Sequence, residues 1–289
     1  MQNNRPITEI IRDRFSSRTY HKRPISDDHQ ERLEEFLSTE INSPFGTKTR
    51  FRLIAASDED MNSLRDLGTY GMIKNARGFI VGAAKTTEKC LEDYGFMLER
   101  IVLFATGLGL GTCWLGGTFK KSGFARSISL RDDEVLPAVI ATGYSMEKPS
   151  IRDSIIRFGA GSKNRKHWQS LFFSGEMNRA LAEKTAGSYR VPLEMVRLAP
   201  SASNKQPWRI IKDTNCEIFH LYLQRSKGHD KNWKLIGRED LQRIDMGIAM
   251  CHFEVTAGEA GLKGKWDIDD PGLDIPAEGC EYVVTWKGK

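Results

Sequence analysis

Glu92-Asp93-Tyr94-Gly95-Phe96-Met97-Leu98-Glu99-Arg100-Ile101-Val102-Leu103-Phe104-Ala105-Thr106-Gly107-Leu108-Gly109-Leu110-Gly111-Thr112-Cys113-Trp114-Leu115-Gly116-Gly117 is the stretch that decides the fold of this 289-residue chain. Met97, Leu98, Ile101, Val102, Phe104 and Ala105 recur at helical spacing, which predicts a long, mostly buried helix over 92–108. Glycine then becomes so dense that the backbone must approach something closely. A dinucleotide-binding fingerprint needs Gly-x-Gly-x-x-Gly after a strand and before a helix. Here the spacing is Gly-x-Gly-x-Gly and the glycines follow a helix, so that reading is refused.

A diverged copy of the stretch lies further along. At one offset of 152 positions, Asp93-Tyr94-Gly95 meets Asp245-Met246-Gly247, Ala105 meets Ala257, Gly109-Leu110 meets Gly261-Leu262, and Trp114 meets Trp266. At an offset of 157, Phe51-Arg52-Leu53-Ile54 meets Trp208-Arg209-Ile210-Ile211. Each half runs turn, strand, strand, long helix, glycine turn, strand, the pattern of a duplicated α+β unit. The halves are expected at 1–165 and 166–289, joined through the polar, basic, glycine-punctuated stretch 151–168.

Outward from the helix, the pattern predicts short helices over 6–13 and 27–38, strands over 51–56, 78–84 and 135–144, and a helix over 59–67. In the second half it predicts helices near 176–184 and 193–198, strands at 208–212 and 217–223, a long helix over 239–259 and a strand at 282–286. With 39% hydrophobic and 28% charged residues the chain can bury a core and is not of disordered composition. The net charge of +5 is spread among nearly as many acidic residues as basic ones, so nucleic-acid binding is not implied. Five cysteines without a Cys-x-x-Cys pair argue for a reducing compartment, and no apolar run approaches a membrane span. A soluble, cytoplasmic protein without membrane or nucleic-acid partners is expected. The histidines have no metal-ligand spacing, no Ser-His-Asp order stands out, and Cys113 reads as a packed small residue.

Two clusters carry candidate chemistry. Arg14-Phe15-Ser16-Ser17-Arg18 brackets two hydroxyls with two arginines, a donor set suited to a dianionic phosphate. Read alone, it suits surface pairing with acidic neighbours as well. Leu198-Ala199-Pro200-Ser201-Ala202-Ser203-Asn204-Lys205-Gln206-Pro207-Trp208-Arg209-Ile210 is a polar turn leading into a strand. Pro200 ends the helix before it, and Pro207 is expected to push Gln206 into an extended conformation. Neither cluster has a convincing counterpart in the other half, and Gly116-Gly117 is replaced by Ile268-Asp269 across the repeat. Each half has kept a different part of one site, which implies a single ligand site at the seam of the copies.

These pieces resemble the FMN-dependent nitroreductase family. Arg14-x-Ser16-x-Arg18 resembles its N-terminal phosphate motif, Pro200-Ser201-Ala202-Ser203-Asn204-Lys205-Gln206-Pro207-Trp208 its Pro-Ser-x-x-Asn-x-Gln-Pro-Trp motif, and Gly109 to Gly117 its Gly-Leu-Gly-Thr-Cys-Trp-Ile-Gly-Gly turn. The resemblance implies a three-layer α/β/α sandwich, duplicated in one chain so that a monomer mimics the family's homodimer. It implies that Arg14, Ser16 and Arg18 hold the FMN phosphate and ribityl end, and that Leu115, Gly116 and Gly117 bring backbone N–H groups near flavin N5. Pro200, Ser201, Ala202 and Asn204 would line the flavin from the second half, with Thr69, Tyr70 and Arg152 as further contacts. The implied activity is an oxidoreductase in which NADH or NADPH reduces bound FMN, which then reduces a nitroaromatic, quinone or similar small-molecule acceptor. A non-catalytic flavin-binding protein, or a related flavin reaction such as dehalogenation or flavin breakdown, is the alternative.

Overall fold

In the computed structural model, residues 5–39, 42–56, 64, 67–146, 165–226, 239–275 and 279–289 are described. They fall into two units, Met1–Ile151 and Arg152–Lys289. Most of the helix expected over 59–67, most of the stretch expected as a linker, and Arg152 lie outside the described residues.

The first unit runs α1 (Ile7–Asp13), α2 (Asp27–Ser38), β1 (Thr49–Ala55), β2 (Gly78–Lys85), α3 (Cys90–Gly107), β3 (Gly111–Leu115), α4 (Lys121–Ser127), β4 (Glu134–Val135) and β5 (Val139–Gly143). Its sheet has the order β1-β2-β5-β3, antiparallel throughout. β2 is apolar along its length and buried at every residue but Lys85, as a strand covered on both faces requires. On one side lies α3, which contacts β1, β2 and β3 and is buried almost all round. A cluster of buried residues that includes Phe79, Val81, Val139, Ala141, Phe119 and Phe124 brings α4 onto the sheet. Gly82 permits the Phe51 ring to cross its strand, since a Cβ there would lie 2.3 Å from that ring.

Two expectations change here. The strand expected over 135–144 is split into β4 and β5 by Leu136-Pro137-Ala138, because Pro137 has no N–H to give the ladder. The glycine run after the helix is not all turn: Gly111–Leu115 pairs with β5 from Gly111↔Gly143 to Leu115↔Val139. Backbone hydrogen bonds to a neighbour make a strand where local propensity is weak.

An ion pair ties β1 to β4. Arg50 Nε and Nη2 donate to Glu134 Oε1 and Oε2 at 2.8 and 2.6 Å. Hydrogen bonding to Arg50, against a smaller desolvation cost, holds the Glu134 carboxyl down to about 2. The depressed value means that the pair stabilises the fold above the carboxyl's ordinary 4.5, and that this contribution is lost as pH falls from there toward 2. With Arg50 partly exposed, Glu134→Gln is expected to cost roughly 1 kcal/mol at pH 7. Urea unfolding at pH 7 and at pH 3 checks this, because the difference between the two proteins must shrink at the lower pH.

The second unit runs β6 (Phe172–Ser174), β7 (Glu176–Ala180), α5 (Arg190–Leu198), β8 (Trp208–Lys212), β9 (Ile218–Gln224), α6 (Leu241–Glu259), β10 (Gly264–Asp267) and β11 (Cys280–Gly288). Its sheet order is β10-β11-β9-β8-β6-β7, antiparallel except for the parallel pair β6 and β8. The helix expected near 176–184 is instead β7 followed by a 3-10 turn at Glu183–Tyr189. Gly175, at φ 72°, lets the chain reverse so that Ala180 pairs with Phe173. Tyr189, Phe219, Phe253, Trp266 and Trp286 form an aromatic core between α6 and the sheet, with ring centroids 4.6–5.8 Å apart.

The two units share a topology. In chain order, β1, β2, α3, β3 and β5 match β8, β9, α6, β10 and β11, and the sheet orders β1-β2-β5-β3 and β8-β9-β11-β10 are the same. The residues paired by the sequence offset also share geometry. Leu110 N–H donates to Ala105 C=O at 3.0 Å and Leu262 N–H to Ala257 C=O at 2.9 Å, with Gly109 and Gly261 at φ 82° and 74°. Trp114 Nε1 donates to Glu99 Oε2 at 2.8 Å, and Trp266 Nε1 to Glu254 Oε2 at 2.7 Å.

Candidate functional site

In the first unit the expected site residues gather around β3. After α1 the chain runs extended, and Ser16 bridges Thr112 in parallel while Ser17 N–H donates to Thr112 C=O at 2.9 Å. Alternation along an extended segment puts Arg14, Ser16 and Arg18 on one side and Ser17 on the other. Ser17 is fully buried and its hydroxyl donates to Ser145 Oγ at 2.7 Å. The segment is pinned on its other edge as well: Lys74 N–H donates to Arg18 C=O at 2.8 Å and Tyr20 N–H to Lys74 C=O at 3.0 Å.

Gly111 is what lets this segment lie so near β3. A Cβ there would stand 2.9 Å from Ser145 Cβ and 3.0 Å from Ser17 Cβ. Gly111→Ala is therefore expected to displace the segment and cost about 1–3 kcal/mol, the usual range for overpacking. A thermal unfolding midpoint equal to that of the parent protein would contradict the close approach.

At the other end of β3, Leu115 is buried and Gly116 and Gly117 are half exposed. The turn holding Thr69 and Tyr70 adjoins the loop that follows, since Lys120 N–H donates to Gly68 C=O at 2.8 Å. Thr69 C=O accepts from Met72 N–H, and Tyr70 sits at φ 49° with its side chain 73% exposed.

Arg14 differs from the expected surface cation. Its side chain is 6% exposed and its Nε lies 4.0 Å from Oε1 of Glu99, which is fully buried on α3. Burial pulls the Arg14 guanidinium down from its ordinary range, with Glu99 and then Cys113 opposing. At 4.0 Å the contact is electrostatic and not a hydrogen bond, and Arg14 Nε is a buried donor without an acceptor. Glu99 belongs to none of the sequence motifs, although the charged pair Glu99-Arg100 within the apolar stretch 96–105 is a visible signal. Arg18 is exposed.

In the second unit, Pro200, Ser201, Ala202 and Asn204 lie in one turn whose polar groups are largely spent on itself. Ser201 Oγ accepts from Gln206 N–H at 2.9 Å, and Asn204 Oδ1 accepts from Arg165 Nη1 at 3.1 Å and Gln206 Nε2 at 3.2 Å. Ala202 N–H donates to Asp245 Oδ1 at 2.9 Å, tying the turn to the start of α6. Asp93 does the same in the first unit, accepting from Phe45 and Thr47 N–H and from Ser43 Oγ at 2.8–3.0 Å. Gln206, expected extended, has φ 48°. Its amide N–H, its side chain and its carbonyl are all bonded, and these bonds hold a left-handed conformation that a following proline alone would not select.

Among the described residues no group of three or more His, Cys, Asp or Glu is placed to hold a metal ion. No helix among them is long and apolar enough to cross a membrane. Among the described residues, none of the five cysteines is in a disulfide.

Comparison with known proteins gives a consistent result. A family model described as "Putative TM nitroreductase" matches residues 6–257. A "Putative NADH dehydrogenase/NAD(P)H nitroreductase" of Archaeoglobus fulgidus is 26% identical in an alignment of 172 positions that covers 55% of this chain and 97% of that protein. A protein of the same description from Methanothermobacter thermautotrophicus is 27% identical in an alignment of 158 positions that covers 51% of this chain and 81% of its own. The crystal structure of a "putative nitroreductase" from Thermotoga maritima is similar with a TM-score of 0.61 at 21% identity, covering 99% of this chain and 95% of that one. The chain therefore shares its fold with that protein along nearly its whole length.

Proposed function

Because the chain belongs to the nitroreductase family that this model describes, we propose that it is an FMN-dependent oxidoreductase. NADH or NADPH supplies the electrons, and a nitroaromatic, quinone or similar small molecule accepts them. When bound, FMN supplies the two-electron chemistry between donor and acceptor. The observation that carries the reading is the convergence on β3 of the Arg14 to Arg18 segment at one end and the Gly116-Gly117 loop at the other. The residues fit a phosphorylated ligand: Arg14 Nε is a buried donor still lacking an acceptor, and Arg18 is exposed beside it in the alternation.

The residue roles are part of the same proposal. Arg14, Ser16 and Arg18 hold the phosphate and ribityl end, with Glu99 keeping the Arg14 guanidinium in place. Leu115, Gly116 and Gly117 present backbone N–H groups to the ring, where the absence of side chains leaves room for close approach. Thr69 and Tyr70 approach the same region. Arg152 is retained as a further phosphate contact, and Pro200, Ser201, Ala202 and Asn204 as a shape-holding wall for the ring. In that wall the self-bonded Ser201 and Asn204 contribute rigidity more than free donors.

The shared strand order and the curated relative whose length is nearly all matched by 55% of this chain support a duplicated unit. A monomer standing in for a homodimer is the oligomeric state that goes with it.

The test is a purified sample. A yellow protein bleached anaerobically by NADH or NADPH and recoloured by an acceptor is the expected outcome. A colourless protein that stays so after incubation with FMN overturns the proposal. A yellow protein that neither nicotinamide bleaches is a flavin binder and not a reductase.

A further inference from the structure

Four cations surround the turn at 200–207, and two of them share one carbonyl acceptor. Arg165 is committed, with Nη2 on Leu198 C=O at 2.8 Å and Nη1 on Asn204 Oδ1. Lys205 is exposed. Lys166 Nζ and Arg209 Nη1 both donate to one acceptor, the Gln206 carbonyl, each at 3.2 Å. The two nitrogens are thus no further apart than twice that distance. Arg209 Nη1 also takes Trp208 C=O at 2.7 Å. Carbonyls position these cations but do not neutralise them.

Neither has a carboxylate partner among the described residues. Glu281 and Asp240 are engaged by Arg225 at 2.5–3.0 Å. Cys280, whose charge would help Arg209, is kept a neutral thiol because burial pushes it up to about 11. Burial and the two neighbouring cations pull the Lys166 ammonium down to about 8. Arg52, the counterpart of Arg209 in the repeat, is exposed on β1, whereas Arg209 is half buried. A like-charged pair held together and half desolvated is unfavourable by itself and favourable once an anion joins it.

We propose that Lys166 and Arg209, with Lys205 next to Gln206, form a binding site for a phosphoryl group. A phosphate dianion matches two cations where a carboxylate would leave one unmatched. Its tetrahedral oxygens can meet the Arg209 guanidinium and the Lys166 ammonium together. The site rests on charge placement within the second unit and does not require the flavin reading.

Isothermal titration of the purified full-length protein with inorganic phosphate, 5′-AMP and 2′,5′-ADP tests it. Arg209→Met and Lys166→Met keep side-chain bulk without charge, and Arg209→Lys restores the charge. We expect the parent protein to bind phosphoryl ligands. Each Met variant should weaken binding by about tenfold or more, and Arg209→Lys should recover most of that loss. Tighter binding of 2′,5′-ADP, with a KM for NADPH that rises in the Met variants while that for NADH stays, identifies a 2′-phosphate as the occupant. Flavin lost from the purified Met variants identifies the FMN phosphate. Equal affinity for all three probes identifies free phosphate. No binding to the parent protein, or equal binding by folded Met variants, overturns the proposal. A colourless protein that binds phosphate through this pair leaves it standing while the flavin reading falls.

Discussion

Asp93→Ala is expected to lower the free energy of unfolding by about 3–5 kcal/mol, whereas the equivalent change in the second unit has a far smaller effect. Asp93 is fully buried at the start of α3 and accepts three hydrogen bonds, two of them from backbone N–H groups of the turn before β1. Removing the carboxylate leaves those donors without partners in the interior, and unmade buried bonds cost more than made ones return. Asp93→Asn is expected to cost about 2–3 kcal/mol, because its NH2 group would face Thr47 N–H or Ser43 Oγ, donor against donor. Asp245 occupies the matching position but accepts one bond, from Ala202 N–H, and its Oδ2 is buried without a partner. Burial pushes this carboxyl well above its ordinary 3.8, the Ala202 bond opposing and Asp240 adding to the rise. A raised value in the folded protein means that stability is full below 3.8 and falls as pH rises toward the folded value, since the unfolded chain releases its proton first. Asp245→Asn removes that loss. It is expected to be neutral below pH 3.8 and stabilising at pH 8, and urea unfolding at pH 3.5 and at pH 8 decides it. A variant destabilised as much as Asp93→Asn would show that the two aspartates do the same work.

Arg18→Ala is expected to reduce the flavin content of the purified protein by about tenfold or more with little change in thermal midpoint, since an exposed side chain making a charge-assisted phosphate contact matters to the ligand and not to the core. Arg14→Ala should lose flavin to a similar degree and also cost about 3 kcal/mol of stability. The reason is Glu99: with Arg14 gone, a fully buried carboxylate loses the guanidinium that stands 4.0 Å from it. The pair of readouts separates two roles that one substitution would confuse. Full flavin occupancy in both variants would remove this segment from the phosphate end. Stability lost without flavin in Arg14→Ala alone would make Arg14 a structural partner of Glu99.

Much of the architecture was legible because its signals are local. The apolar spacing of Met97, Leu98, Ile101 and Val102 marks α3 without reference to any other residue, and the alternating or continuous apolar runs mark β2, β8 and β9. Across the constant offset, Ala105 and Ala257 accept the same backbone bond, and Trp114 and Trp266 each donate to a glutamate of the preceding helix. The candidate site was legible as motifs: Arg14 to Arg18 and Gly109 to Gly117 are short strings whose residue types suit close approach to a charged ligand.

What the sequence by itself determined is therefore most of the long helices and strands, with their order along the chain. Only the tertiary structure decided that the start of the glycine run is a strand, that residues 176–180 are a strand and not a helix, and that Gln206 is left-handed. It alone also set Arg14 against Glu99 and left Lys166 and Arg209 sharing a carbonyl. The physical reason is one of range. Periodicity, caps and glycine act over a few residues and can be read along the chain, while ladder pairing, burial of charge and the sharing of acceptors join residues dozens of positions apart.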